Sequence, residues 1–445
     1  METNRMTEGS IRRQIIGFAL PVFVGYLFQQ LYNTADALIV GNFLGPTALA
    51  AVSANAAFVN LLIGFFLGFA IGAGVVIARH IGAEDDEQTR RAVHTAVLLG
   101  LAGSAVISLL GVWISPTVLR WMDTPAEVFP EAVRYLRIYF GGSVGLIMYN
   151  VLVGVLQAAG DSRHPLIYLI VSSLVNIALD VLFVAGFGMG VEGAAIATVL
   201  SQLLSMALAA ARLMRAKSAI RLEPRRLRMD RDNLRFIARN GLPTALQACV
   251  IDLSNILIQS YINSFGSLAM AGIGASFKVE GFAFLPITAF SMAMTTFISQ
   301  NMGARRYDRV RRGMRFGLWS AVAVIEVLGA VLFLFAPQVI ALFNRDPEVV
   351  RFGMGRTRTC ALFFGLVGFS HVASAVMRGL GRPMTPMVIM LSCWCAVRIV
   401  ALFTVGQIFH TIGLAYWIYP FTWALSSAAY LALLRRMNVE TLRPA

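Results

Sequence analysis

The sequence predicts an all-α polytopic membrane protein, and three observations lead to this fold class. Of the 445 residues, 58% are hydrophobic and only 13% are charged, whereas soluble domains carry about 25% charged residues. Twelve apolar runs are each long enough to cross a bilayer as a helix. These runs lack the period-two alternation that a membrane barrel requires, so the predicted elements are helices.

Each predicted span is bounded by charged residues, glycine or proline. The first follows the polar residues 1–14; it is too long for a signal-peptide core and has no small-residue cleavage site, so we expect it to be retained. The twelve spans lie near 15–40, 53–77, 92–114, 135–157, 165–187, 191–213, 237–262, 274–298, 314–336, 355–377, 385–409 and 412–434.

The basic residues predict how these spans are oriented. Of the 37, 28 fall in segments that are cytoplasmic if the N-terminus is cytoplasmic. Seven, including Arg356, fall in the outer loops, and Lys278 and Arg398 lie inside spans. Because cytoplasmic loops carry an excess of positive charge, we expect both termini to be cytoplasmic.

An internal repeat divides the chain. Eleven residues of the first half, from Gly45 to Pro165, recur unchanged 221 residues later, from Gly266 to Pro386. Six spans per repeat is an even number, so both repeats enter the membrane in the same direction. We therefore expect two parallel six-helix repeats with a substrate site between them near the membrane midplane.

The repeat also sets the predicted domain boundaries. Residues 1–214 form an N-lobe with the first six spans, and residues 236–445 form a C-lobe with the last six. Residues 215–235 are a basic cytoplasmic linker, which we expect to fix topology and to bind lipid headgroups.

Several function classes find no support. The net charge of +14 would suit a nucleic-acid partner, but there is no basic stripe with interleaved aromatic residues, and we expect no such partner. The outer loops have no metal-ligand spacing and no Gly-rich phosphate loop, so we expect neither an enzyme nor a resident cofactor. Four cysteines lie in apolar runs, where we expect small core residues without disulfide or metal: Cys249, Cys360, Cys393 and Cys395.

The first span contains a costly charge. A carboxylate such as Asp36 is disfavoured in an apolar helix by about 3 kcal/mol or more, and this indicates a functional site. Asn176 and Asp180 in the fifth span and Thr198 in the sixth lie at a similar predicted depth, roughly 9–12 Å below the outer boundary at 1.5 Å per residue. Tyr32 precedes Asp36 by one turn, as Asn176 precedes Asp180, so each pair shares a helix face.

Three interpretations of this group remain open. The oxygen atoms of Asp36, Asn176, Asp180 and Thr198 suit a hard cation such as Na⁺. Two acids in a low dielectric can equally hold a proton between them near neutral pH. The polar side chains could also serve only as hydrogen bonds between helices.

The second repeat has no equivalent group. At the 221-residue offset it carries Leu257, Val397 and Ala401 in place of the polar residues of the first and fifth spans. The shared scaffold therefore does not need them.

Motifs along the whole chain resemble the multidrug and toxic compound extrusion (MATE) family. No single motif is decisive, but together with the twelve-span tandem repeat they are specific. The motifs are LYNTAD at 31–36 followed by Val40-Gly41, IGA at 81–83 matched by NMGA at 301–304, QAAGD at 157–161 with Pro165, and NIALD at 176–180.

The resemblance implies a V-shaped pair of six-helix lobes that export cationic amphipathic compounds by alternating access in exchange for H⁺ or Na⁺. It implies that the coupling cation binds at Asp36, Asp180, Asn176, Thr198 and Tyr32. It further implies a polar N-lobe position at Asn150 and a hinge in the first span at Pro21. Gln30 and Asn33, in the polar stretch around Asp36, are additional polar candidates of the N-lobe. We expect a monomer in the inner membrane of a prokaryote, with small-molecule substrates and membrane lipids as partners.

Charges inside the second repeat have two interpretations. Arg398 could meet Asp252 or Glu280 in buried pairs that fix the packing of the C-lobe, with Lys278 pairing elsewhere. Alternatively these residues bind substrate, and Glu280 is then the best candidate because aromatic residues follow it. Other branches of the family have coupling acids in the seventh and tenth spans, where this chain has Asp252 and His371, so we expect no C-lobe cation site.

A second function from the same superfamily is a lipid-linked saccharide flippase. Its pyrophosphate would require a strongly cationic central cavity. The spans offer only Arg398 and Lys278 for that purpose, and we therefore favour drug export.

Overall fold

The computed structural model describes residues 6–122 and 124–437, and twelve helical segments follow one another along them. The outermost ends of the two predicted lobes lie outside these ranges. The segments are α1 (Ile11–Leu44), α2 (Pro46–Gly82), α3 (Asp86–Trp121), α4 (Phe129–Gly141 and Ser143–Ala158), α5 (Arg163–Gly186), α6 (Val191–Met214), α7 (Arg231–Asn263), α8 (Ser267–Gly303), α9 (Tyr307–Ala341), α10 (Pro347–Ala361 and Phe364–Gly379), α11 (Met384–Phe409) and α12 (Ile412–Arg436).

The helices agree with the predicted spans. Within the described residues, nine are long and apolar enough to cross a membrane, and the bent pairs in α4 and α10 raise the number to eleven. The last segment, α12, is rich in Tyr, Trp and Ser and is not among them. Each of the twelve predicted spans falls in one helical segment, to within one residue. The predicted all-α polytopic fold is therefore confirmed.

Five helical segments are interrupted, and in one of them, α8, the interruption is a turn at Phe284 between Ser267–Ala283 and Leu285–Gly303. The chain bends by 46° in the middle of α4 and by 58° in the middle of α10. Two others contain π-helical turns, at Val181–Gly186 in α5 and at Leu391–Ala396 in α11. Such turns insert an extra residue into the helix and are frequent at functional positions. The turn in α5 begins directly after Asp180.

The repeat is visible in the backbone as well as in the sequence. Three pairs of residues with positive φ are each separated by 221 positions: Gly45 and Gly266, Glu84 and Arg305, and Gly160 and Gly381. The first pair, at φ 84° and 91°, lies just before α2 and α8 in a conformation that residues with a Cβ atom rarely adopt. Equivalent connections in the two repeats therefore follow the same path.

Two compact units form, and each takes in a helix end from the other repeat. The first comprises Val24–Ala245, and the second comprises Met6–Phe23 together with the chain from Leu246 onward. The predicted lobe boundaries follow the sequence repeat, whereas the first parts of α1 and α7 group with the opposite repeat. In each helix the change of unit comes three residues after a proline, Pro21 in α1 and Pro243 in α7.

Close backbone contact joins the first part of α7 to the first unit. A Cβ atom at Gly72 of α2 would lie 2.4 Å from the backbone nitrogen of Gly241 in α7. Gly68 approaches Ala245 equally closely. Small residues let membrane helices approach to this distance and gain packing contacts.

The linker packs on the first unit. Ile220 and Leu222 are buried with residues of α2, α3, α4 and α6 in one apolar cluster. Asp230 ends the linker, and its carboxylate accepts a hydrogen bond from the backbone N–H of Asn233 at 2.9 Å in the first turn of α7. This bond lowers the pKa of Asp230, because it favours the ionised carboxylate.

Candidate functional site

The five predicted cation-binding residues all lie in the first unit, on three helices. Tyr32 and Asp36 lie on the part of α1 that follows Pro21. Asn176 and Asp180 are on α5 before its π-helical turn, and Thr198 is in the second turn of α6. Asn176 and Asp180 are fully buried and Thr198 is 5% exposed. The polar groups therefore depend on protein partners rather than on water.

Asn176 links the two later helices. With its amide oriented to satisfy both neighbours, it donates to Asp180 Oδ2 at 3.1 Å and accepts from the backbone N–H of Thr198 at 3.3 Å. The Thr198 hydroxyl donates to the Ala194 carbonyl at 3.0 Å. Asn176 thus holds the Asp180 carboxyl in place and ties α5 to α6.

The two acids lie next to each other. The Asp36 and Asp180 carboxyl groups face each other within hydrogen-bonding reach, and a hydrogen bond between them would require a proton on one of them, because two carboxylates offer only acceptors. Each also has a buried oxygen, Oδ1 in both cases, without a protein partner. Among the described residues, no basic side chain interacts electrostatically with either acid. The pair therefore places two acid side chains beside each other without a basic partner among the described residues.

Three tyrosines surround the pair. Tyr32 and Tyr135 are close enough to both acids to interact electrostatically, and Tyr139 lies near them. The rings of Tyr135 and Tyr139 stack one turn apart on α4, with centroids 6.2 Å apart. The sequence analysis did not identify the two α4 tyrosines. Their four-residue spacing, which places both on one face of a helix, was the signal that could have found them.

The additional polar positions lie apart from the acids. Asn150 donates to the Leu146 carbonyl at 2.9 Å and borders a small apolar cavity with Tyr139. Gln30 is half-buried and Asn33 is exposed. Among the described residues, neither side chain hydrogen-bonds to Asp36.

The oxygen donors that remain available are few. The carbonyl oxygen of the Asn176 amide is already engaged by Thr198. Two buried carboxylate oxygens and the acceptor side of the Thr198 hydroxyl remain. The described residues contain no group of three or more His, Cys, Asp or Glu side chains that could hold a metal ion. These are the oxygen atoms that a coupling cation would meet at this site.

A second buried charge cluster lies in the second unit. Arg356 on α10 is 1% exposed and pairs with Glu280 on α8 at 2.6 Å. Its Nη1 donates to Ser276 at 2.9 Å, and the guanidinium carbon lies 3.9 Å from the centre of the Phe277 ring. The sequence left Asp252 and Glu280 open as partners of Arg398, and the structure pairs Glu280 with Arg356 instead. Arg356 was assigned to an outer loop, whereas it lies inside a helix.

Arg398 on α11 completes this cluster and forms no ion pair with a carboxylate in the part of the chain that the structure describes. It donates to Thr422 at 3.2 Å and to Asn255 at 3.4 Å. Its guanidinium carbon lies 4.4 Å from the centre of the Tyr419 ring. The guanidinium carbon of Arg356 lies 4.8 Å from the centre of the same ring. Two arginines therefore accompany one glutamate, and the cluster carries a net positive charge.

The other two predicted charges of the second repeat are on the surface of the chain. Asp252 is exposed, and no ion pair involves it within the described residues. Lys278 is also exposed, and its ammonium lies 5.8 Å from the centre of the Phe343 ring. Neither belongs to the buried pairs that the sequence analysis considered.

Known proteins match this chain over nearly its whole length. The MatE family model matches it twice, at residues 21–182 and 243–404, once in each repeat. A probable multidrug resistance protein of Bacillus subtilis, YoeA, is 28% identical over 432 residues, which cover 95% of this chain and 93% of the relative. A probable multidrug resistance protein of Thermotoga maritima, NorM, is 26% identical and covers 92% and 88%.

The fold also matches solved structures. A MATE protein crystallised in a bent conformation superposes with a TM-score of 0.91 at 24% sequence identity, covering 98% of this chain and 97% of the other. The double match of the family model corresponds to the repeat that the sequence and the backbone both display. On this evidence the chain belongs to the MatE family of membrane transporters.

Proposed function

We propose that this protein is a proton-coupled antiporter that exports cationic amphipathic compounds by alternating access. The observation that carries the proposal is the close approach of two carboxyl groups, of half-buried Asp36 and buried Asp180, each with a buried oxygen that has no protein partner among the described residues. The export direction and the drug-like substrates are proposed because relatives of this chain are named as multidrug resistance proteins. Residence in a prokaryotic inner membrane, with both termini cytoplasmic, belongs to the same proposal.

A proton would couple to conformation through this pair. In one protonation state Asp36 and Asp180 share a proton, which holds α1 to α5. In the other state both are ionised, repel each other at close range and favour separation or solvation. A bound ligand shifts a conformational equilibrium only as far as its affinity differs between the two states, and this pair supplies such a difference.

Sodium is the second candidate for the coupling ion. It would lie against Asp36, Asp180 and Thr198, with Asn176 turned to offer its carbonyl oxygen. That rotation would break the hydrogen bond from Asn176 to Asp180. The proton requires no such rearrangement, and we therefore favour it.

The flippase alternative is less well supported. It requires a cationic cavity for a pyrophosphate, but Arg356 and Arg398 are 1% and 2% exposed and engaged with protein groups. A buried ion pair stacked between aromatic rings is arranged for packing rather than for an incoming anion.

Transport by purified protein in liposomes tests the proposal. We expect ethidium, a cationic amphipathic compound, to move in response to a pH gradient, whereas a Na⁺ gradient at equal pH on both sides should have no effect. Asp36→Asn and Asp180→Asn should both reduce transport to the level of empty liposomes. Each variant should remain folded, because an asparagine amide can donate to the remaining carboxylate and so replace the shared proton.

Asp252→Asn is the matched control, because it neutralises an acid that lies in a predicted span without a second acid beside it. We expect proton-driven transport to persist in this variant. Transport driven by Na⁺ alone would assign the coupling to sodium. Normal transport by Asp36→Asn would refute the role of the acid pair.

A further inference from the structure

A basic cleft lies in the first unit, away from the acid pair. It has a volume of about 590 Å³, within the range of small-molecule sites, roughly 300–1,000 Å³. One wall is the start of α3 and the other is the end of the linker. The residues that define this arginine cleft are Arg90, Arg91, His94, Arg225, Arg226 and Arg228.

The arginines of the cleft outnumber the acidic side chains that neutralise them. Glu87 pairs with Arg91 at 2.9 Å and with Arg90 at 3.8 Å. Asp230 lies 3.7 Å from Arg91. Glu87 and Asp230 line the cleft together with five arginines, and Glu223, just outside the lining, lies 3.3 Å from Arg226. Five arginines against three acids leave an excess of two positive charges for an anion to balance.

Two of these arginines are unpaired. Arg225 and Arg228 are exposed, and neither forms an ion pair with another described residue. Arg226 differs, since it lies 3.3 Å from Glu223. The linker wall thus presents two free guanidinium groups, which bind phosphate oxygens in a bidentate manner.

A buried polar atom also lines the cleft. His94 is 5% exposed, and its Nε2 has no hydrogen-bond partner among the described residues. An unpaired buried polar atom is unfavourable unless a ligand or water satisfies it. This observation is independent of the surface charge, and it points to a polar ligand in the cleft.

The second repeat shows which wall is specific to this site. At the 221-residue offset the α3 wall recurs, with Asp308, Arg311, Arg312 and Arg315 in place of Glu87, Arg90, Arg91 and His94. The linker wall does not recur. The residues 221 positions before Arg228 and Met229 are Thr7 and Glu8, which precede α1 as the linker precedes α7 and carry no positive charge. The cleft is therefore not a by-product of the duplicated scaffold.

The surface of α3 beside the cleft is apolar and exposed. Leu101 lies 11 residues after Arg90 and is 40% exposed, and Leu109 lies 18 residues after Arg91 and is 76% exposed. Separations of 11 and 18 residues are about three and five helical turns, so each leucine shares a helix face with its arginine. A molecule with its anionic group in the cleft can therefore lay an apolar chain along α3.

We infer that the arginine cleft binds the phosphate headgroup of an anionic lipid, whose acyl chains then lie along the exposed face of α3. A soluble phosphate compound shares the headgroup chemistry but would make no use of the apolar face. The location agrees with the topology predicted from the arginine distribution, which places the linker on the cytoplasmic surface. The inference does not depend on the proposed transport activity.

Native mass spectrometry of the full chain in neutral detergent tests this inference. The probes are cardiolipin, phosphatidylcholine and inorganic pyrophosphate. We expect specific binding of cardiolipin, with phosphatidylcholine and pyrophosphate binding at least tenfold more weakly. In Arg225→Gln/Arg228→Gln, cardiolipin affinity should fall roughly thirtyfold, because each arginine near an anionic lipid contributes about fivefold.

Two further variants separate this site from general surface charge. Arg311→Gln/Arg312→Gln removes the same charge from the equivalent helix of the second repeat and should bind cardiolipin within about twofold of the parent, since it leaves the cleft intact. His94→Phe retains the burial but removes the unpaired nitrogen, and it should weaken binding severalfold.

Equal affinities for the two double variants would overturn the site. Failure of the parent protein to prefer cardiolipin over phosphatidylcholine would do the same. Pyrophosphate binding as tight as cardiolipin binding would overturn the assignment to a lipid. All variants are compared by their melting temperatures, and a loss of binding in a variant that melts like the parent supports the inference.

Discussion

Equivalent positions of the two repeats carry opposite chemistry. Tyr135 lies beside the acid pair of the first unit, and its counterpart 221 residues later is Arg356, which neutralises Glu280 in the second. Thr198 of the acid site likewise corresponds to Tyr419, which lies against two arginines. Among the described residues, one unit therefore holds two adjacent carboxyl groups without a basic partner, whereas the other holds a glutamate with an excess of arginine. The first arrangement is the one that the proposed cation coupling uses.

The buried pair of the second unit should be sensitive to loss of either partner. Glu280→Gln leaves the Arg356 charge buried without its carboxylate, which we expect to destabilise the protein by about 3–5 kcal/mol. Replacing both residues, as in Glu280→Leu/Arg356→Met, should recover most of that loss because no buried charge remains. Thermal unfolding in detergent measures both effects. A double variant less stable than Glu280→Gln would show that the pair itself contributes net stability.

Much of this chemistry was predictable at the level of single residues, and the exceptions have a common cause. Asp36, Asp180 and Asn176 could be grouped because an acid in an apolar run is conspicuous and its depth follows from helical rise. Arg356 was not recognised because the first part of α10, Pro347–Ala361, is polar enough to resemble an outer loop. Tyr135 and Tyr139 were missed because a tyrosine in an apolar run carries no charge to draw attention.

At the scale of helices, an arginine makes several of the hydrogen bonds that hold the segment before α1. Arg309 on α9 donates to the carbonyls of Gly9 at 2.8 Å and Glu8 at 3.1 Å and to the Gln14 side chain at 2.9 Å. The backbone N–H of Met6 donates to Gln300 at 2.7 Å. These contacts lie within the second unit, so they anchor the beginning of α1 to that unit.

We expect Arg309→Gln to release this segment. Hydrogen exchange in residues 6–14 should accelerate roughly tenfold or more, because hydrogen bonds to a charged group contribute about 1.5–3 kcal/mol. Arg312→Gln is the control, since Arg312 is exposed and its Nε donates only to its own helix, to the Asp308 carbonyl at 3.4 Å. The measurement is exchange followed by mass spectrometry. Equal acceleration in both variants would contradict the anchoring role of Arg309.

The interruptions of the helices could not be predicted from the sequence. Hydropathy identifies a run that can cross the membrane, but it does not report whether the helix is straight. The bend in α4 falls at Gly141 and Gly142, and glycine is common in membrane helices. The π-helical turn after Asp180 likewise follows from packing, for which a single sequence contains no direct signal.

At the scale of the whole molecule, the two units are not the two halves of the chain. Residues 6–23 group with the second unit and residues up to 245 with the first. The sequence repeat was correctly identified, but the exchange of helix ends was not predictable from it. A repeat shows which segments are equivalent, but it does not show which of the two copies each segment packs against.

Cutting the chain in the linker tests this exchange. We expect fragments 1–217 and 218–445, expressed together, to assemble and to copurify through a tag on one of them. Each fragment alone should be degraded, because each unit then lacks a helix end that supplies close contacts such as Gly72 with Gly241. The comparison is the amount of fragment 1–217 in membranes with and without its partner. Equal amounts would show that the first unit forms without residues 231–245.

The exchanged helix ends bear on the origin of the chain. A half-length ancestor with this fold would have formed a dimer in which each copy lent the start of its first helix to the other. Gene fusion would then have joined two subunits that were already intertwined, so the fused chain needed no new packing. Divergence could afterwards place acids in one copy and arginines in the other, giving a single chain with chemically distinct halves that an identical dimer could never have.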